Sequence, residues 1–174
     1  PMNLGLPRET VAARVDAALA AVGMGHHADK PVHNLSFGQK KRVCIAGVLA
    51  MEPELLLLDE PMAGLDHAMQ AELLQVLDGL HEGGMTILLA THDIEFAYGW
   101  ADRIHLLAAG RNTLSLDAPH LADHGPELAA VGLQMPPLIA IQAALAARGA
   151  LPASQPAART WAGLLGQLEK PESQ

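Results

Sequence analysis

Two adjacent carboxylates, Asp59-Glu60, follow the continuous apolar run Leu55-Leu56-Leu57-Leu58. Open α/β sheets place ligand sites at the carboxyl ends of their strands. A Mg²⁺ ion there would stabilise one carboxylate, and the other would polarise a water. An ordinary strand exit with acidic residues reads equally well. Ser36-Phe37-Gly38-Gln39 has the spacing of a capping box, in which the Ser36 hydroxyl accepts from the third helical amide and Gln39 reaches back. Gly38 keeps that first turn open to close approach. A helix start with a hydroxyl and bare amides suits phosphate, although many helices begin this way. Lys40-Lys41-Arg42 follow, able to attract phosphate but more often a solvated face. His92 closes a second apolar run, Thr86 to Thr91, at the same sheet edge as Glu60. A neutral imidazole there touches a terminal phosphate or orients a water; alone, it reads as structural. Asp66, after Gly64-Leu65, is a good helix N-cap.

These residues need elements to position them. Val11, Val15, Leu19 and Val22 recur on one face of a helix over 7–22, stopped by Gly23. A second helix runs over 36–51. Its part from Val43 to Met51 is apolar nearly all round, which predicts a buried helix with Cys44 as an inert core thiol. The runs Leu55–Leu58 and Thr86–Thr91 read as buried parallel strands. Between them lies a helix over 66–81, with Met69, Leu73, Leu77 and Leu80 on one face. A short helix is predicted over 94–100, then a hairpin of 103–108 and 113–116 turning at Gly110-Arg111-Asn112. The alternation gives an α/β layout with parallel core strands. From about Ala118 the texture changes to Ala, Leu, Pro and Gly. Helices over 137–148 and 160–169, joined by a Pro- and Ala-rich loop, form a small C-terminal appendage.

The 174 residues fit one domain, and a 50% hydrophobic content supplies a real core. With 3% aromatic residues that core is aliphatic. Net charge −8 counts against a protein that blankets phosphate in nucleic acid. One cysteine excludes an internal disulfide. The longest apolar run, Met135 to Ala147, carries Gln142 and two prolines and falls short of the roughly 20 residues that span a bilayer. Residues 1–30 have no basic start followed by an apolar block.

In order, a capped helix, an apolar strand ending Asp-Glu, a Gly-Leu-Asp turn and an apolar strand ending in His resemble the ATPase domain of ABC transporters. Leu35-Ser36-Phe37-Gly38-Gln39 resembles the family signature, Leu55 to Asp59 its Walker B strand, and Ala63-Gly64-Leu65-Asp66 its D-loop. The resemblance implies a P-loop, RecA-like fold over 1–117, with a C-terminal extension over 118–174 that helps pair two ATPase subunits. It further implies ATP and Mg²⁺ as ligands, Asp59 on Mg²⁺, Glu60 as catalytic glutamate and His92 as switch histidine. Ser36, Phe37, Gly38 and Gln39 would meet ATP held by a second subunit, and Asp66 would serve as the D-loop acid. Phe37 in place of the commoner glycine, the Lys40-Lys41-Arg42 trio, Asn3-Leu4-Gly5-Leu6-Pro7 and Met135-Pro136-Pro137 are similar to the energy-coupling-factor branch, particularly cobalt/nickel uptake ATPases. That branch implies transmembrane transporter partners, a peripheral place on the cytoplasmic face of the membrane, and contact through residues near 1–34. Met62 and His67 depart from the family's usual Thr or Ser and Pro.

These residues hold no G-x-x-x-x-G-K-[S/T] string, and Pro1 falls where the family pattern has just passed its Q-loop. The expectation is therefore a truncated sequence that does not hydrolyse ATP alone. A half-ATPase of a DNA-repair or chromosome-organising protein shares the same motifs, but no heptads precede Ser36. A non-catalytic interaction module is a further alternative, which the retained Asp59, Glu60 and His92 disfavour. His26, His27 and His33 cluster in one loop, and His120 and His124 are four apart. A transition-metal site is conceivable at the first group, but a polar loop is the simpler expectation.

Overall fold

The computed structural model describes residues 1–151 and 156–169. It divides into two compact units, 1–90 and 91–174, so the boundary expected near Asp117 falls inside the second. The Pro- and Ala-rich loop lies partly outside the described residues.

In the first unit, α1 (Arg8–Ala21) ends where Gly23 takes φ +69°, and α2 is Phe37–Leu49. β1 (Leu55–Asp59) pairs in parallel with β2 (Thr86–Ala90), Leu55 opposite Thr86 through Asp59 opposite Ala90. α3 (His67–Glu82) makes the crossover. The predicted parallel pairing therefore stands, with each boundary within two residues. The periodicity of α3 is also real, since Leu73 and Leu77 are buried. Two expectations fail. Cys44 is exposed, as are Gly47, Val48 and Met51, so α2 is not buried all round. Its core face is Ile45, Ala46 and Leu49. The strands are likewise half-covered: Leu56 is 1% exposed, whereas Leu55 and Leu57 are 50% and 66% exposed. The period-two alternation of a strand sends these leucines to the opposite face, which stays half or more open.

In the second unit, α4 (Ile94–Trp100) precedes an antiparallel hairpin of β3 (Arg103–Ala108) and β4 (Arg111–Asp117). Its turn is Ala109-Gly110, at φ +49° and +73°, and not Gly110-Arg111-Asn112. Two residues with positive φ make the tight turn whose twist matches the strands, so Arg111 and Asn112 enter β4. The register slips past Leu106, and the Thr113 hydroxyl donates to the Leu106 carbonyl at 3.1 Å within this bulge. α5 (Gly125–Ala130), α6 (Pro137–Ala147) and α7 (Trp161–Leu168) complete the unit; α5 was not foreseen. Tyr98, Ile104, Leu116, Leu121 and Leu138 share one core, which joins the hairpin to the later helices. No helix among the described residues is long and apolar enough to cross a membrane.

Candidate functional site

The helix start at Ser36 forms as its spacing predicts. The Ser36 hydroxyl accepts from the Gln39 amide at 3.2 Å, and Gln39 Oε1 accepts from the Ser36 amide at 2.9 Å. The amides of Phe37 and Gly38 are not consumed by this box. The hydroxyl oxygen is the acceptor in its bond, so its own proton remains able to donate. Gly38 is buried against α3: a Cβ there would lie 3.2 Å from the Met69 side chain. Gly64, at φ +74°, leaves the same kind of space for the Phe37 ring, 3.3 Å from where a Cβ would stand. Asp66 caps α3, accepting from the Met69 amide at 2.8 Å. Leu65 beside it is buried, and its carbonyl accepts from Gln70 at 3.3 Å.

Asp59 is the last, exposed residue of β1. Glu60 continues the ladder by one bond, its amide donating to the Ala90 carbonyl at 2.9 Å. It then turns the chain sharply with φ +43°. A non-glycine residue there is strained by about 1–2 kcal/mol, so surrounding contacts must hold it.

Lys41 braces the turn that follows Glu60, and its residue type did not reveal this. Its Nζ donates to the carbonyls of Pro61 and Ala63, each at 2.7 Å, and stands 5.4 Å from the Phe37 ring centroid. Burial pulls the ammonium pKa below its ordinary value, and the Glu60 carboxylate pushes it back up. Arg42 pairs with Glu72 of α3 at 2.9 Å. The basic trio is therefore not a plain solvated face. The only sequence signal was helical spacing: Lys41 is one turn beyond Phe37, on the side that meets the β1–α3 turn. Of the loop histidines, His27 meets the first turn of α2. His27 Nε2 lies 3.3 Å from Gln39 Nε2, as the neutral imidazole accepting from the amide, and its ring is 4.0 Å from that of His26. Burial first, then the charges of His26, Lys30 and Arg42, lower the His27 pKa. No metal-binding group of three His, Cys, Asp or Glu occurs among the described residues. His120 lies 3.9 Å from Asp123, and His124 hydrogen-bonds Glu127 at 3.2 Å.

His92 belongs to the second unit and is exposed. It sits between two local bonds. The Asp93 amide donates to the Thr91 hydroxyl at 3.1 Å, and the Asp93 carboxylate caps α4 by accepting from Phe96 at 2.9 Å. The structure thus brings Ser36, Phe37, Gly38, Gln39, Asp59, Glu60 and Asp66 together within one unit.

Comparison with known proteins extends this picture. The ABC transporter family model matches residues 3–63. The chain is 48% identical over 139 residues to the cobalt import ATP-binding protein CbiO of Rhodobacter capsulatus, covering 80% of the chain and 49% of that protein. It is 50% identical over 111 residues to the energy-coupling factor transporter ATP-binding protein EcfA of Methanocaldococcus jannaschii, covering 64% of the chain and 40% of that protein. Among solved structures, cbiO1 of Clostridium perfringens, part of the ABC transporter complex cbiONQ, superposes with a TM-score of 0.63 at 41% identity, covering 79% of this chain and 55% of that one. The chain spans about half the length of the curated relatives it matches.

Proposed function

The chain carries part of an ABC transporter ATP-binding domain, and on that premise we propose that it supplies the signature, Walker B, D-loop and switch-histidine elements of an ATPase that drives import of cobalt or nickel. The observation that carries the reading is the Lys41 brace, which ties the phosphate-suited start of α2 to the turn bearing Asp59 and Glu60. Glu60 positions the attacking water or takes its proton. It stands where the chain leaves β1, at φ +43°. His92 contacts the terminal phosphate of ATP as a hydrogen-bond donor.

Ser36, Phe37, Gly38 and Gln39 act on ATP gripped by a second ATPase subunit. The Ser36 hydroxyl and the Phe37 and Gly38 amides are donors, as an anion requires. Asp59 fits Mg²⁺, since one exposed carboxylate suits a metal that takes its remaining ligands from water and phosphate. When bound, the ion neutralises charge on the phosphate oxygens. Asp66 fixes the D-loop at the start of α3. Residues 118–174 pair the two ATPase subunits, and transmembrane subunits receive the motion on the cytoplasmic face of the membrane.

Mg-ATP hydrolysis by the chain alone, and by the chain mixed with an intact CbiO-type subunit, tests this. The chain alone shows no turnover, and the mixture exceeds the partner's own rate. Ser36→Arg abolishes that excess and Glu60→Gln spares it, because Ser36 works across the dimer and Glu60 in its own half-site. Glu60-dependent turnover by the chain alone overturns this division of labour. A mixture that never exceeds the partner alone overturns the role of Ser36.

A further inference from the structure

The second unit contains a buried polar clamp that the ATPase motifs do not use. Gln142 of α6 is 7% exposed, and it grips the backbone of Ala158 from both sides. Its Nε2 donates to the Ala158 carbonyl at 2.8 Å, and its Oε1 accepts from the Ala158 amide at 2.6 Å. A buried amide is tolerated only when its hydrogen bonds are made, and here both ends go to one residue of an irregular segment.

The residues that follow are laid along α4. The Arg159 guanidinium donates to the Tyr98 carbonyl at 2.8 Å and to the Ala101 carbonyl. Both lie at the end of α4, where a helix leaves carbonyls unpaired and favours positive charge. Trp161 reaches the other end, its indole N–H donating to Glu95 Oε1 at 3.0 Å. Between them Gly99 permits close approach, since a Cβ there would stand 3.3 Å from the Arg159 carbonyl oxygen. Tyr98 is fully buried beneath the strap, its hydroxyl 3.5 Å from the Ala158 carbonyl. Burial pushes its phenol pKa up, against the opposing effect of Arg159.

α4 is only seven residues long, and its N-cap is Asp93, the neighbour of His92. So short a helix has little stability of its own, and its geometry depends on what holds its two ends. We propose that Arg159 is a positioning residue for His92: the strap 158–161, locked by Gln142, clamps α4 at both ends and thereby fixes the turn that presents the imidazole. This makes the state of the C-terminal extension felt at the switch histidine. The inference rests on the reading of His92 given above.

The test uses the full chain with Arg159→Ala, Arg159→Lys and the milder Trp161→Phe, which keeps an aromatic ring but removes the N–H donor. Hydrogen exchange is followed at the α4 amides, and the His92 imidazole by its carbon–proton NMR signal. Arg159→Ala is expected to speed exchange in α4 about 10-fold. It shifts or broadens the His92 signal, leaves those of His105 and His120 in place, and leaves β3–β4 amides protected. Arg159→Lys restores part of both effects. If Arg159→Ala does not fold, Trp161→Phe must by itself shift or broaden the His92 signal and speed exchange in α4. Faster α4 exchange with an unmoved His92 signal overturns the proposal, as does no change in either. These readouts need no turnover. If replacing the intact partner's corresponding switch histidine by Ala leaves the excess hydrolysis of the mixed dimer unchanged, the role read for His92 falls while the clamp stands.

Discussion

Replacing Lys41 by Met keeps most of the apolar stem and removes the ammonium. Two charged hydrogen bonds are lost, to Pro61 and Ala63, each 2.7 Å long. A hydrogen bond from a charged donor contributes roughly 1.5–3 kcal/mol, but Lys41 is only half-buried, so solvent screening reduces the pair to about 1–2 kcal/mol together. Relief of the desolvation that lowers its pKa works in the same reducing direction. Urea unfolding reads this as a midpoint lower by about 1 M, using a slope of roughly 1–2 kcal/mol/M for a small domain. The turn is the part that loosens, so exchange of the amides at 60–65 rises more than in α1. In the mixed-subunit assay the excess hydrolysis falls, because Phe37 and the start of α2 lose their tie to the β1–α3 turn. A midpoint within 0.2 M of the parent, or faster exchange spread evenly over the first unit, refutes the brace (a difference that small is below about 0.5 kcal/mol).

Other outcomes follow from the same geometry. Glu60→Gly, freed of the strain at φ +43°, is expected to be more stable than Glu60→Gln by about 1 kcal/mol in urea unfolding. Leu56→Ala, at a 1% exposed site, destabilises by about 2–5 kcal/mol. Leu57→Thr, at a 66% exposed one, leaves the midpoint nearly unchanged and lowers light scattering on concentration, since it breaks an exposed apolar strand face. The His27 pKa is lowered in the folded chain. The unfolded chain therefore binds its proton first, and stability falls as pH drops below about 6.5. His27→Gln flattens that slope in melts between pH 7.5 and 5; an unaltered slope shows that His27 does not carry the effect.

Much of the site is legible in the residues themselves because its geometry is local. A capping box is a contact across three positions, so Ser36 and Gln39 announce it without any tertiary information. Asp66 as a helix cap is local in the same way. The parallel strands show in their apolar runs, and the crossover helix shows in the spacing of Leu73 and Leu77. What the sequence leaves open is which side of each element is covered. Helical spacing gives α2 one turn of apolar residues after another, yet only packing separates buried Ile45 and Ala46 from exposed Cys44 and Val48. Lys41 and Arg159 have the composition of surface residues, and their partners lie 20 to 61 positions away. Their roles depend on carbonyls left unpaired by a turn and by a helix end, and these exist only once the chain has folded.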